Sequence, residues 1–513
     1  MKAMGDSMIR RSLAAALAFG LLAAPLAGHA QAPGYAPPTA APAGAPQVLK
    51  INQGTLKGSV ANGVAYDLGI PFAPPPVGDL RWKPPGAPPS WTGERDATKA
   101  PPSCQLQEDC LYLNVVRPAN AKPGAKLPVI FWIHGSAFVV GQAIGAFGAD
   151  TEGTEFAKKG VIVVSANHRL GRAGWFAHPA LTKEGGLVAN YGNMDQIAGL
   201  KWVKANIASF GGDPNNVTAV GESAGAMAIL NMMISPEAKG LFNKAIVESG
   251  FARTTPTPLA EAEANGVKLA EAAGVKGDDA AAAAALRKLP LSALAGPRGG
   301  VTAPGRPFPV LDGKLYTETV IQGFTAGHEA KIPLIIGGNS NEASLVRPTP
   351  ALLDAQPADK VAVLMKVFDP QGTGDKAKAI NDFVTVQSIT EPDRAIVRLH
   401  TKNGAPAWTY YFSYVPAAEK ARKPYGAGHT DEVRFVFGQP RARFAPEDLQ
   451  LSDAMNAYWT AFAKTGAPGS AGGPAWPKFD LAQEGQIEFG ADGPQVREHL
   501  LKPWRDLVEA AGK

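Results

Sequence analysis

Cysteine is nearly absent from this chain: the 513 residues contain two, Cys104 and Cys110. No second Cys or His pair lies near them to complete a zinc site, so no structural metal is expected. Charge is also sparse and balanced. Charged residues make up 19% and the formal net charge is +5, of which Lys2, Arg10 and Arg11 against Asp6 place +2 in the first 30 residues. The remainder is too weak and too evenly spread to imply nucleic acid or an anionic membrane surface as a partner. Long apolar runs are missing too; the longest, Leu13 to Leu26, falls short of a spanning helix. Neither a glycine-rich phosphate loop nor an H-E-x-x-H string occurs, so nothing asks for a nucleotide, cofactor or catalytic metal. Internal repeats are absent.

What the chain does have is apolar mass: 45% hydrophobic residues, with 9 Trp and 21 Phe, enough for a sizeable core. At its start, Arg10-Arg11 precede the Leu13–Leu26 run. Gly28-His29-Ala30 and Ala30-Gln31-Ala32 then offer small-x-small cleavage points. Residues 1–30 therefore read as a signal peptide, placing the mature protein in the periplasm or outside the cell, free of the membrane. Residues 31–47 read as a Pro/Ala-rich linker, and residues 48–513 as a single catalytic domain. In an exported protein, cysteines as close as Cys104 and Cys110 read as a local disulfide, with two free thiols as the alternative.

From residue 48 onward, strand and helix signals alternate. Val129–Ile133 and Val161–Ala166 are continuous apolar runs, expected of strands buried on both faces of a mostly parallel sheet. Thr218–Val220, Lys244–Val247 and Ile332–Ile336 predict further strands. Ile197–Phe210 predicts a helix with Leu200, Val203, Ile207 and Phe210 on one face. Ala260–Leu289 and roughly Ala351–Arg398 read as inserted helical stretches, the six-alanine run Ala280–Ala285 as an exposed element. The class is α/β.

One pentapeptide carries chemistry. Gly221-Glu222-Ser223-Ala224-Gly225 is a G-x-S-x-G string between a β-prone segment (216–220) and a good helix former (226–233). That setting puts a serine on a sharp strand-to-helix turn with its hydroxyl projecting outward. A serine hydroxyl needs a base to take its proton, and the base needs an orienting acid. Where G-x-S-x-G sits in an α/β-hydrolase, acid and histidine follow it in that order. His29, His134, His168 and His178 precede Ser223 and drop out. Of the other four, His429 lies on the small-residue loop Tyr425-Gly426-Ala427-Gly428-His429. His328, His400 and His499 sit beside charged or helical residues and read as surface histidines. Glu342 follows the predicted strand at Ile332–Ile336, at the carboxyl end where α/β sites gather. Taken alone, it reads more readily as a solvated loop carboxylate. Trp132-Ile133-His134-Gly135-Ser136-Ala137-Phe138 leaves a strand into a small-residue turn suited to binding an oxyanion.

Two longer strings are more specific. Glu108-Asp109-Cys110-Leu111-Tyr112-Leu113-Asn114-Val115 and Phe210–Thr218 running into G-E-S-A-G-A resemble the signatures of type B carboxylesterases, the cholinesterase-like branch of the α/β-hydrolases. Gly69–Ala73, Asn167–Gly171 and Tyr458–Ala463 also fit, and the resemblance covers about residues 48–480. It implies an α/β-hydrolase fold with helical insertions around the cleft, and a secreted serine hydrolase that cleaves small carboxylic esters through an acyl-enzyme. Ser223 resembles the nucleophile, Glu342 the acid and His429 the base. The backbone N–H groups of Ser136, Ala137 and Ala224 would line the oxyanion hole. Amide, carbamate or toxin-ester hydrolysis is the alternative on the same site, and a non-catalytic binding protein is the alternative in another class.

Three departures stand out. The turn reads H-G-S-A-F where the family more often has glycine at position 136. A positive φ there costs serine about 1 kcal/mol, and the extra atoms disfavour esters of bulky tertiary alcohols. Only five residues separate Cys104 from Cys110, too few for an aromatic choline site or a lipase-like lid. Asn193 stands where an apolar residue is usual, and Ala467-Pro468-Gly469 where D-P-N is common; the sequence gives neither a role.

Overall fold

The apolar runs become the middle of one 13-stranded sheet. The structure is a computed structural model describing residues 39–145, 151–294 and 305–511; the predicted signal peptide lies outside these residues. Strands β1 (Ala45–Ile51), β2 (Gly54–Ala61), β3 (Val64–Pro71) and β4 (Tyr112–Pro118) form an antiparallel flank. Then come β5 (Leu127–Ile133), β6 (Ile162–Ala166), β7 (Gly212–Glu222), β8 (Lys244–Glu248), β9 (Leu334–Asn339), β10 (Ala407–Phe412), β11 (Gln486–Gly490) and β12 (Gly493–Arg497). Their spatial order is β1-β2-β3-β4-β6-β5-β7-β8-β9-β10-β11-β12, with the short strand Glu94–Asp96 beside β2. From β6 across to β11 every pairing is parallel.

Alternation within β5 shows why this centre is apolar throughout. Val129, Phe131 and Ile133 pack into one core cluster, while Ile130 and Trp132 pack into another on the opposite face. Side chains on a strand point alternately to its two faces, so a strand covered on both sides has no position left for a solvated residue.

Helix α1 (Tyr191–Asn206), continued by a 3-10 turn to Phe210, buries Leu200, Val203, Ile207 and Phe210 as expected. It begins six residues before the predicted start at Ile197. Its first turns bury polar residues: Asp195 pairs with Arg169, and Asn193 bonds to Trp175 and Gln196. These satisfied polar groups hide the apolar periodicity. Helix α2 (Ala224–Ile234) is buried along its whole length. The six-alanine run lies in α3 (Ala280–Lys288), where Ala282, Ala283 and Leu286 are buried and Ala280, Ala281 and Ala284 are exposed. The exposed reading is thus corrected: a methyl group is small enough for the helix to pack closely, which composition does not reveal. The stretch 351–398 resolves into separate helices ending with α4 (Glu391–Lys402); α5 (Pro446–Thr465) packs over the sheet.

The linker reading fails at its end. Residues 45–47 already belong to β1, Ala41 donates its N–H to Thr98 O, and Ser59 Oγ donates to Pro42 O. Backbone pairing fastens this proline-rich stretch, although its side chains bury little. Cys104 and Cys110 are disulfide-bonded. Among the described residues no helix is long and apolar enough to cross a membrane.

Candidate active site

Ser223 stands at the junction of β7 and α2 with φ 55° and ψ −120°. A left-handed conformation is costly for a non-glycine residue and survives only where surrounding structure enforces it. Close packing does so here. A Cβ on Gly225 would lie 2.1 Å from Ile133 O, so only glycine lets α2 approach β5 this closely. The Ser223 N–H donates to Glu248 O at 2.8 Å, fixing the turn against β8.

The three residues selected from the sequence converge. His429 Nε2 lies 2.9 Å from Ser223 Oγ, and His429 Nδ1 lies 2.5 Å from Glu342 Oε2. All three are buried, with 6%, 6% and 2% exposure for Ser223, His429 and Glu342. Glu342 follows β9 and is held by the Asn339 N–H at 2.7 Å and Ser249 Oγ at 2.5 Å, both donating to Oε1. The His429 loop is seated by Ser344 Oγ, which accepts the His429 N–H at 2.8 Å, and by the Asn341 N–H donating to Ala427 O. Phe251 sets its ring edge-on to the imidazole, 5.6 Å between centroids.

The remaining histidines separate on burial. His328 and His499 are exposed, as expected. His400 is not a surface residue. It is fully buried on α4, with Nε2 2.8 Å from Ile332 O and Nδ1 3.2 Å from Glu329, so its polar atoms serve packing.

The turn after β5 runs against this centre. Ser136, Ala137 and Phe138 all have positive φ (74°, 55° and 65°), so the strain expected at position 136 extends over three residues. None of their N–H groups has an acceptor among the described residues, while the Phe138 carbonyl accepts the Gly171 N–H at 2.8 Å. Ala224, as the first residue of α2, has no intrahelical acceptor for its N–H either. Behind the turn, Phe138 packs on Trp175 (4.6 Å), whose indole N–H donates to Asn193 Oδ1 at 2.9 Å. Asn193, without a role in the sequence, therefore anchors the aromatic wall of this turn. His134 and His168 stack at 4.4 Å below it. Burial pushes His134 down to about 4 and His168 well below its usual value, so both are neutral.

Three carboxyl groups here went unnoticed in the sequence. Glu222, Glu248 and Glu432 are completely buried around the triad. Glu222 Oε1 comes within 3.2 Å of His429 Nε2 without hydrogen-bond geometry. Glu248 Oε1 accepts the Trp459 indole N–H at 2.7 Å, and Glu432 accepts from Asn339 Nδ2. Burial first, and then neighbouring carboxylates, hold Glu222 and Glu432 well above the usual carboxyl range. Burial pushes Glu248 up to about 8. Their protonated forms are thus favoured. Among the described residues no group of three or more His, Cys, Asp or Glu side chains is arranged to hold a metal ion.

The chain matches the carboxylesterase family model over residues 45–362 and 356–504. It is 35% identical over 490 residues to fumonisin B1 esterase of Sphingopyxis macrogoltabida, covering 87% of each chain. It is 32% identical over 516 residues to human cocaine esterase, covering 88% of this chain and 89% of that one. Among solved structures, a Geobacillus stearothermophilus carboxylesterase superposes with a TM-score of 0.77 at 30% identity, covering 90% of this chain and 99% of the other. A PNB esterase gives 0.76 at 31%, with the same coverage. With this α/β-hydrolase sheet and matches spanning most of its length, the chain belongs to the carboxylesterase family and is a carboxylic ester hydrolase.

Proposed function

We propose that the protein is an exported serine esterase that works through a Ser223–His429–Glu342 triad and an acyl-enzyme. The observation carrying this reading is the continuous chain of contacts, Ser223 Oγ to His429 Nε2 at 2.9 Å and His429 Nδ1 to Glu342 Oε2 at 2.5 Å. His429 takes the serine proton as Oγ attacks the ester carbonyl. Glu342 holds the imidazole in the required tautomer and stabilises the imidazolium. The N–H groups of Ser136, Ala137 and Ala224 receive the charge developing on the carbonyl oxygen, each such donor being worth about 100- to 1,000-fold in rate. His429 then protonates the departing alcohol, and water, deprotonated by the same imidazole, releases the acid. The small-molecule substrate is a carboxylic ester. The relatives' names point to different esters, so the natural one is left to the pocket walls.

The test is hydrolysis of p-nitrophenyl acetate by the wild type and by Ser223→Ala. Loss of a serine nucleophile costs about a million-fold in kcat in comparable triads, and the variant is expected to fall to that level. Retained turnover would place the nucleophile elsewhere.

A further inference from the structure

Arginines with little exposure generally have a carboxylate here. Arg81 pairs with Glu108, Arg169 with Asp195, and Arg287 with Glu184. Arg172 and Arg306 do not. Each is only partly exposed, and neither forms an ion pair among the described residues. The Arg172 guanidinium donates through Nη2 to Gly305 O, while its Nε is buried without a partner. The next residue, Arg306, lays its guanidinium carbon 3.8 Å from the centroid of the Phe308 ring.

Neighbours of both residues contact the turn after β5. Gly171, beside Arg172, donates its N–H to Phe138 O, and Phe308, beneath Arg306, meets the Phe138 ring edge-on at 5.7 Å. Trp82 fixes the Arg172 backbone by donating to its carbonyl at 2.7 Å. Two arginines that meet through Gly305 therefore adjoin the residues packed on the segment assigned above to the oxyanion. Burial alone lowers both to about 10, with no carboxylate acting on either. They remain cations at neutral pH. A partly desolvated cation without a counter-charge is costly unless an anion arrives to pair with it. Guanidinium is the group best matched to a carboxylate, which it binds through paired N–H donors.

We propose that Arg172 and Arg306 form an anion subsite that selects esters carrying a free carboxylate near the scissile bond. This rests on the reading of Ser223 and residues 134–138 given above and names the substrate class for that site. The carboxylate can belong to the acyl or the alcohol half, and the experiment separates them. Mono-p-nitrophenyl glutarate is compared with its neutral methyl ester for the acyl half, and 4-acetoxybenzoate with methyl 4-acetoxybenzoate for the alcohol half.

In one of these pairs the wild type is expected to favour the anion by about tenfold or more in kcat/KM, the scale of one charge-assisted contact. That ratio should shrink in about 0.5 M salt and collapse in the Arg172→Met/Arg306→Met double variant. Being a ratio on one enzyme preparation, it does not depend on how much of the variant folds. Arg306→Lys, which keeps the charge, should retain part of it. A wild type that prefers the neutral ester in both pairs overturns the subsite, as does a ratio unmoved by the double substitution. Failure to hydrolyse p-nitrophenyl acetate at all, or hydrolysis undiminished in Ser223→Ala, would instead overturn the triad reading.

Discussion

At the residue scale, the strained turn Ser136-Ala137-Phe138 sets the sharpest expectation. Its three residues all have positive φ, and on the proposed reading, in which their N–H groups bind the oxyanion, the side chains of residues 136 and 137 add atoms beside the reacting carbonyl. The wild type should therefore hydrolyse tert-butyl acetate far more slowly than ethyl acetate, and Ser136→Gly should narrow that gap. Stability is the wrong readout, because relief of about 1 kcal/mol of left-handed strain is offset by the greater freedom of glycine in the unfolded chain. Comparable wild-type rates on the two esters would contradict the steric argument. The convergence of Ser223, His429 and Glu342 was legible in the sequence as a set of candidates, since a motif, its chain order and a family signature all point to them. Asn193 and His400 were not. The first supports Trp175 and the second bridges Glu329 and Ile332 O, and both roles depend on neighbours brought together only by folding.

At the scale of elements, β7 and β8 place Glu222 directly opposite Glu248, so two carboxyl groups share a buried position across a strand pair. Burial pushes the Glu248 carboxyl up to about 8 in the folded protein from its ordinary value of about 4.5. A raised folded value means the folded state holds the proton more tightly. Its contribution is present in full below about 4.5 and is lost as pH rises to about 8. One such proton changes stability by at most ~1.4 kcal/mol per pH unit. Urea denaturation of the wild type and Glu248→Gln between pH 5 and 9 should show the wild type losing stability more steeply, because the amide has no proton to lose. Parallel pH dependences would exclude Glu248 as a source. The core strands were legible for the opposite reason: a strand buried on both faces is apolar at every position, and this is visible without knowing its neighbours. The start of α1 and the packing of α3 escaped because buried polar groups and alanine methyls carry no hydrophobic period.

Across the whole molecule, the region where a lid would sit is fastened. The Cys104–Cys110 disulfide closes a short loop, Glu108 pairs with Arg81, Cys110 O accepts from Asn167, and Ser103 Oγ donates to Gly141 O. Nothing in this loop is long enough to cover and uncover the cleft. Tributyrin hydrolysis should thus rise smoothly through the solubility limit, and a sharp jump there would reveal a lid elsewhere. By itself the sequence determined the α/β class, the family and the candidate nucleophile, acid and base, because these rest on local strings and on burial patterns each strand carries alone. The tertiary structure decided what surrounds them. It gathered the carboxyl groups of Glu222, Glu248 and Glu432 around Ser223 and His429, sank His400, tied residues 39–47 to the sheet edge and left Arg172 and Arg306 without acids among the described residues. Charge pairing, desolvation and close approach depend on distances between residues far apart in the chain, and only the folded backbone fixes those distances.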